Sequence, residues 1–205
     1  MKNYPVAEKY LIFEDDQKAL LPAEVVERLI ETFDRVWTEI CEKYNKGEMK
    51  NVTIVADERE NAIGWCGGGS KIGVGVKWIT ERPWDTDLLT HELVHAAQAY
   101  PSYGDEKAPG WVVEGIADYG RDVHGIYNKE GGWALPKYNE KHNYDNSYRI
   151  TGAFFLWVEK NVCPTFVKEI NDAIKDGKYT SEIYEKLTGK TIEALWADYA
   201  AASNA

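Results

Sequence analysis

Hydrophobic and polar positions in the first half of the chain follow two different periods. Between residues 22 and 44, apolar residues recur at three- and four-residue steps with Glu, Arg and Lys between them, which predicts an amphipathic helix. Short apolar segments follow at residues 52–56, 62–66 and 72–79. The last two flank the glycine turn 67–69, so we expect them to form a hairpin.

The second half of the chain is predicted to be mainly helical. A long loop rich in Tyr, Trp and Gly interrupts it at residues 131–146. The predicted helices cover residues 86–100, 110–123, 147–161, 165–175, 181–187 and 192–202, and Asp85 is a plausible N-cap of the first. We therefore expect an α+β fold in a single domain spanning residues 1–205, with a small mixed sheet, an edge strand beside the helix 86–100, and a mainly helical C-terminal part.

Composition and charge exclude several classes of protein. The 205 residues carry 24 Lys and Arg against 34 Asp and Glu, and this net charge of −10 repels nucleic acid in the absence of a local basic patch. The longest apolar run, residues 153–158, is far too short to span a membrane. The three cysteines lie too far apart for a dense disulfide framework or a cysteine-rich zinc site. Eight Trp and 13 Tyr indicate either a large aromatic core or a cleft that binds peptides or sugars.

The most informative motif is the HExxH sequence at residues 91–95, inside a predicted helix. Residues four apart share one helical face, so the imidazoles of His91 and His95 can both reach one metal ion. Glu92 is rotated by about 100° from His91 and can act as a general base on a metal-bound water. The motif alone also arises by chance, so it needs support from a third ligand.

The helix 110–123 contains a candidate for that third ligand. Metzincins place a third His six residues after the second, and Pro101 occupies that position here. Gluzincins use a Glu on a following helix, and Glu114 fits that role. Asp118 lies one turn further on the same face and could accept the free ring N–H of a zinc-bound histidine. The alternative is a pair of solvated acids on a helix surface.

From Leu88 to Arg121 the chain resembles the plant basic secretory protein family and its bacterial relatives. The resemblance rests on the HExxH followed by Gln, a short loop with Ala-Pro-Gly, and the sequence EGIADY. It implies a zincin-like metallopeptidase domain, one zinc ion held by His91, His95 and Glu114, and a secreted, periplasmic or cell-surface location. The N-terminus lacks the apolar segment of a signal peptide, so either the protein is cytoplasmic or a signal has been removed. The acidic charge departs from the "basic" of the family name.

Tyr148 is the first candidate to stabilise the oxyanion that forms during hydrolysis. In the gluzincin aminopeptidases, a Tyr before a Gly-Ala helix has this function, and Tyr148 precedes a similar segment. Tyr144, His142 and His124 remain alternatives, and Tyr148 could equally serve only in packing.

The segment 72–79 is the candidate for substrate binding. If it forms a sheet edge beside the metal-binding helix, an extended peptide could add to it at Gly73, Val74 and Gly75 through backbone hydrogen bonds. The two glycines would leave room for that peptide. The alternative is that they serve a bulge or a tight hairpin.

Together these features predict a zinc-dependent peptidase that acts on a peptide or protein substrate, with no nucleic-acid partner. The alternative from a different class is a binding protein on a peptidase scaffold, whose aromatic cleft holds a peptide or a glycan. A metal-dependent hydrolase of non-peptide amides is a third possibility. The sequence leaves the oligomeric state open.

Overall fold

The structure is a computed structural model that describes residues 2–14, 17–68 and 70–203. The chain divides into two compact units, Met1–Ala99 with Gly120–Ala134, and Tyr100–Tyr119 with Leu135–Ala205. The helices are α1 (Pro5–Tyr10), α2 (Ala23–Tyr44), α3 (Val76–Glu81), α4 (Leu88–Gln98), α5 (Gly110–His124), α6 (Tyr148–Asn161), α7 (Phe166–Lys175), α8 (Ile183–Thr188) and α9 (Ile192–Ser203). The strands are β1 (Leu11–Phe13), β2 (Val52–Asp57), β3 (Gly64–Gly67) and β4 (Lys71–Gly75). The expectation of a single domain stays a prediction.

The first unit contains the sheet. Its strand order is β1-β2-β4-β3, with β1, β2 and β4 parallel and β3 antiparallel to β4. The predicted hairpin is confirmed by the β3–β4 pairing, although Gly69 of its turn lies outside the described residues. The predicted strand 72–79 is too long, since the chain becomes helix α3 at Val76. The short elements α1 and β1 had no sequence prediction.

Helix α2 has the amphipathic character that its period predicts. Its apolar face is fully buried at Val25, Leu29, Phe33, Trp37 and Ile40. It packs against α1 and α4, and α4 in turn packs against β3 and β4. Helix α4, which buries apolar residues on several sides, thus lies between α2 and the sheet. This position fixes the residues of α4 relative to the edge strand β3.

The second unit is helical and aromatic. Helix α6 packs against α7 and α9. Phe154 contacts Trp196 and Tyr199 with ring centroids 5.2 and 5.7 Å apart, and Phe155 contacts Phe166 at 5.5 Å. Much of the aromatic content therefore builds core. The α+β prediction, a small mixed sheet with a mainly helical remainder, is confirmed. Within the described ranges, no helix combines the length and apolar composition needed to cross a membrane.

Candidate metal centre

Helix α4 carries the two histidines and anchors them by burying its other faces. Leu89, Leu93 and Val94 are fully buried, whereas His91 and His95 are half-buried. The helix begins at Leu88, two residues later than predicted, with Asp87 at its N-cap position. Because the backbone between the histidines is regular helix with buried apolar anchors, the ring positions are set by the fold.

The two imidazoles converge as the four-residue spacing predicts. Their Nε2 atoms lie 3.1 Å apart. Tetrahedral zinc with Zn–N distances near 2.05 Å would require a separation of about 3.3 Å, so the two nitrogens fit a single zinc ion. One ligand atom from each of His91, Glu92 and His95 lies within 4.8 Å of the others. Among the described residues, these three form the group of potential ligands that lie close enough together to hold a metal ion.

Gln98 orients one of the two rings. The Nδ1 atom of His95 lies 3.0 Å from the Oε1 atom of Gln98. An amide oxygen only accepts hydrogen bonds, so this contact favours the tautomer with the proton on Nδ1, which leaves the Nε2 lone pair on the side of His91. From the sequence, Gln98 is apparent only as part of the family resemblance. Its three-residue spacing from His95 on a helix was the signal for this contact.

Glu92 lies beneath the edge strand. It is 7% exposed, and a Cβ atom built on Gly64 of β3 would lie 2.8 Å from its Oε1 atom. Gly64 thus lets the carboxylate project past the strand, a role that the sequence did not reveal. Burial, with the nearby charge of Glu92, raises the pKa of the Cys66 thiol on the same strand to about 12. Cys66 therefore stays protonated at neutral pH and is a poor nucleophile.

The prediction that Gly73, Val74 and Gly75 lie at a sheet edge is wrong. They belong to β4, which is paired with β2 on one side and β3 on the other. A Cβ atom on Gly73 would lie 2.0 Å from the Trp65 indole nitrogen, and one on Gly75 would lie 1.9 Å from the Ala62 carbonyl oxygen. The glycines therefore serve a tight hairpin, the alternative reading of the sequence. The edge strand beside α4 is β3.

In the second unit, Glu114 and Asp118 are buried rather than solvated, with exposed fractions of 8% and 5%. The hydroxyl of Tyr103 donates a hydrogen bond to Oε1 of Glu114 at 2.6 Å. Helix α5 lies very close to α6 at this point, since a Cβ atom on Gly115 would lie 2.3 Å from a Thr151 methyl carbon. The two acids thus lie on a tightly packed helix pair, where a buried carboxylate is costly unless it is paired, hydrogen-bonded or bound to a metal.

Tyr148 begins α6 with an unusual backbone. Ser147 and Tyr148 have φ angles of 67° and 45°, positive values that cost a non-glycine residue about 1–3 kcal/mol. The Tyr148 side chain is 54% exposed. Of the alternative oxyanion donors, Tyr144 donates its hydroxyl to Glu193 at 3.1 Å, and Nδ1 of His124 lies 3.3 Å from Glu39. Strain at an exposed tyrosine is typical of functional positions.

A family model, BSP, described as a peptidase of plants and bacteria, matches residues 18–199. No curated protein and no solved structure gives a significant match. The matched region includes both histidines, Glu92, Glu114 and Tyr148. Its description indicates a peptidase-like function. The chain therefore belongs to the BSP family of plants and bacteria, the basic secretory protein family.

Proposed function

We propose that this protein is a zinc-dependent peptidase. The observation that carries the proposal is the convergence of the His91 and His95 Nε2 atoms at 3.1 Å, with the Glu92 carboxylate beside them. Two imidazoles and one carboxylate ligand form a catalytic zinc set that keeps one position for water. Glu114 is the proposed carboxylate ligand. Zinc bound there would lower the pKa of its water to about 7.

Three residues have further roles in the proposed reaction. Glu92 accepts a proton from the attacking water and passes it to the leaving amine. Tyr148 donates a hydrogen bond to the oxyanion that develops on the substrate carbonyl. Asp118 is the proposed acceptor for the free ring N–H of one zinc-bound histidine.

The substrate in this proposal is an extended peptide that pairs with β3. In the described residues β3 is the last strand of the sheet, and Gly64 on it lies against Glu92. Backbone hydrogen bonds to an edge strand bind a peptide with little regard to its side chains. This position would place a peptide bond near the proposed general base. Export from the cell, as the family resemblance implies, forms part of the proposal.

A digest of a diverse peptide pool, read by mass spectrometry, tests the proposed function. Zinc-loaded wild type, chelator-treated wild type and zinc-treated His95→Ala would be compared. We expect new cut sites with zinc-loaded wild type only. Equal cleavage by the chelated protein would exclude the zinc mechanism. Stoichiometric zinc without cleavage would favour the alternative, a peptide- or glycan-binding protein on this scaffold.

Gly64→Ala tests the position of the edge strand. The new methyl group would displace the Glu92 carboxylate, so we expect kcat for peptide cleavage to fall by at least tenfold, since misplacing a catalytic group by about 1 Å costs on the order of 100-fold. Zinc content should stay at the wild-type level. The matched control is Gly68→Ala, because a Cβ atom at Gly68 meets nothing within 4 Å. Equal kcat values for the two variants would contradict the contact between β3 and the general base.

A further inference from the structure

Tyr103 combines an exposed side chain with a short hydrogen bond to a buried carboxylate. It is 63% exposed, whereas Glu114, its acceptor, is 8% exposed. The O–H···O distance of 2.6 Å is typical of a charge-assisted bond to an ionised carboxylate. The phenol is therefore the donor of this hydrogen bond and the carboxylate is the acceptor.

The loop that carries Tyr103 is held in place by its own hydrogen bonds. Oδ1 of Asp105 accepts bonds from the backbone N–H groups of Lys107 and Ala108 and from the Ser102 hydroxyl, at 2.9, 3.0 and 3.2 Å. The N–H of Gly104 donates to the Ala108 carbonyl oxygen at 2.8 Å. A short loop closed in this way presents the phenol from a fixed position. An exposed ring held over a buried acid has little packing function of its own.

We propose that Tyr103 is a positioning residue that fixes the carboxylate of Glu114 for metal binding. The inference rests on the proposed function, in which Glu114 is the third zinc ligand. The hydrogen bond from the phenol to Oε1 restrains rotation of the carboxylate, so Glu114 would meet a metal ion in one orientation. Partners of this kind fix ligand orientation, and their loss costs about 10–100-fold in metal affinity.

Zinc affinity, measured by competition with a chromophoric chelator, tests this inference without reference to turnover. We expect Tyr103→Phe to bind zinc about 10–100-fold more weakly than wild type. The urea midpoint of the metal-free protein should fall only modestly, because one hydrogen bond to the buried Glu114 is lost while the exposed ring is kept. Tyr144→Phe is the matched control. It removes another tyrosine-to-glutamate hydrogen bond of the same unit, at Glu193, and should leave zinc affinity unchanged.

Two further variants separate this inference from the proposed function. Glu114→Gln should weaken zinc binding more than Tyr103→Phe, and Asp105→Ala should weaken it by loosening the loop. Wild-type affinity in Tyr103→Phe, with a loss in Glu114→Gln, would overturn the role of Tyr103 alone. Wild-type affinity in Glu114→Gln would remove the third ligand and this inference together. Unfolding of metal-free Tyr103→Phe under the assay conditions would show a structural role instead and would also overturn the inference.

Discussion

Replacing Glu92 with glutamine should lower kcat for peptide cleavage by about 10²–10⁴-fold, the usual contribution of a general base. Glutamine has nearly the shape of glutamate, so it fits beside Gly64 without a new clash. It cannot accept the proton of the attacking water, however. Zinc stoichiometry should remain at the wild-type value, because the histidines and Glu114 are the proposed ligands. The measurement pairs single-turnover cleavage of one peptide with metal analysis of the same sample.

The control for this variant is Glu81→Gln. Glu81 is an exposed glutamate at the end of α3, paired with Arg82 on the surface, and its neutralisation should leave kcat unchanged. A kcat for Glu92→Gln within a factor of three of the wild-type value would contradict the assignment of Glu92 as the general base. Loss of zinc from Glu92→Gln would contradict the division between ligands and base.

Replacing Arg121 with methionine should lower the free energy of unfolding by about 3–5 kcal/mol, the usual cost of removing one partner from a buried ion pair. Arg121 and Asp85 form an ion pair whose side chains are only 7% and 8% exposed. Asp85 also accepts a hydrogen bond from the Trp78 indole at 2.8 Å, and the Arg121 guanidinium stacks on Trp133 at 4.4 Å. Without Arg121, a carboxylate remains buried without its cation. Urea unfolding of the metal-free protein measures the change.

Two further variants test the cause of the lower free energy of unfolding in Arg121→Met. Lys190→Met breaks the exposed pair with Asp198, whose side chains are 49% and 41% exposed, and should cost no more than about 1 kcal/mol. Adding Asp85→Asn to Arg121→Met should recover part of the stability, since the buried charge is gone while the amide oxygen still accepts from Trp78. A cost for Arg121→Met as small as that of Lys190→Met would contradict a buried-charge origin.

Asp85 illustrates how a local pattern can be misread. From the sequence it is a plausible N-cap for a helix starting at residue 86, because an acid before an apolar helix often has that function. In the structure, the helix starts at Leu88, and Asp85 pairs with Arg121, 36 residues away. Asp87 accepts bonds from Thr90 and from the backbone of Tyr127 instead. Local sequence shows that acids cluster before α4, but their partners depend on the fold.

By itself, the sequence determined what depends on short-range geometry. The four-residue spacing of His91 and His95 on a helix makes their rings converge, and the longer helices and the β3–β4 hairpin follow from local period and turn residues. Only the tertiary structure decided that β4 is internal and β3 is the edge, because glycines spaced two apart permit close approach by a peptide and by a hairpin partner alike. It also decided that Tyr103 contacts Glu114 and that Gly64 clears Glu92. Those contacts depend on loop conformation and strand order, which arise from packing between residues distant in sequence, and hydrophobic period carries no information about them.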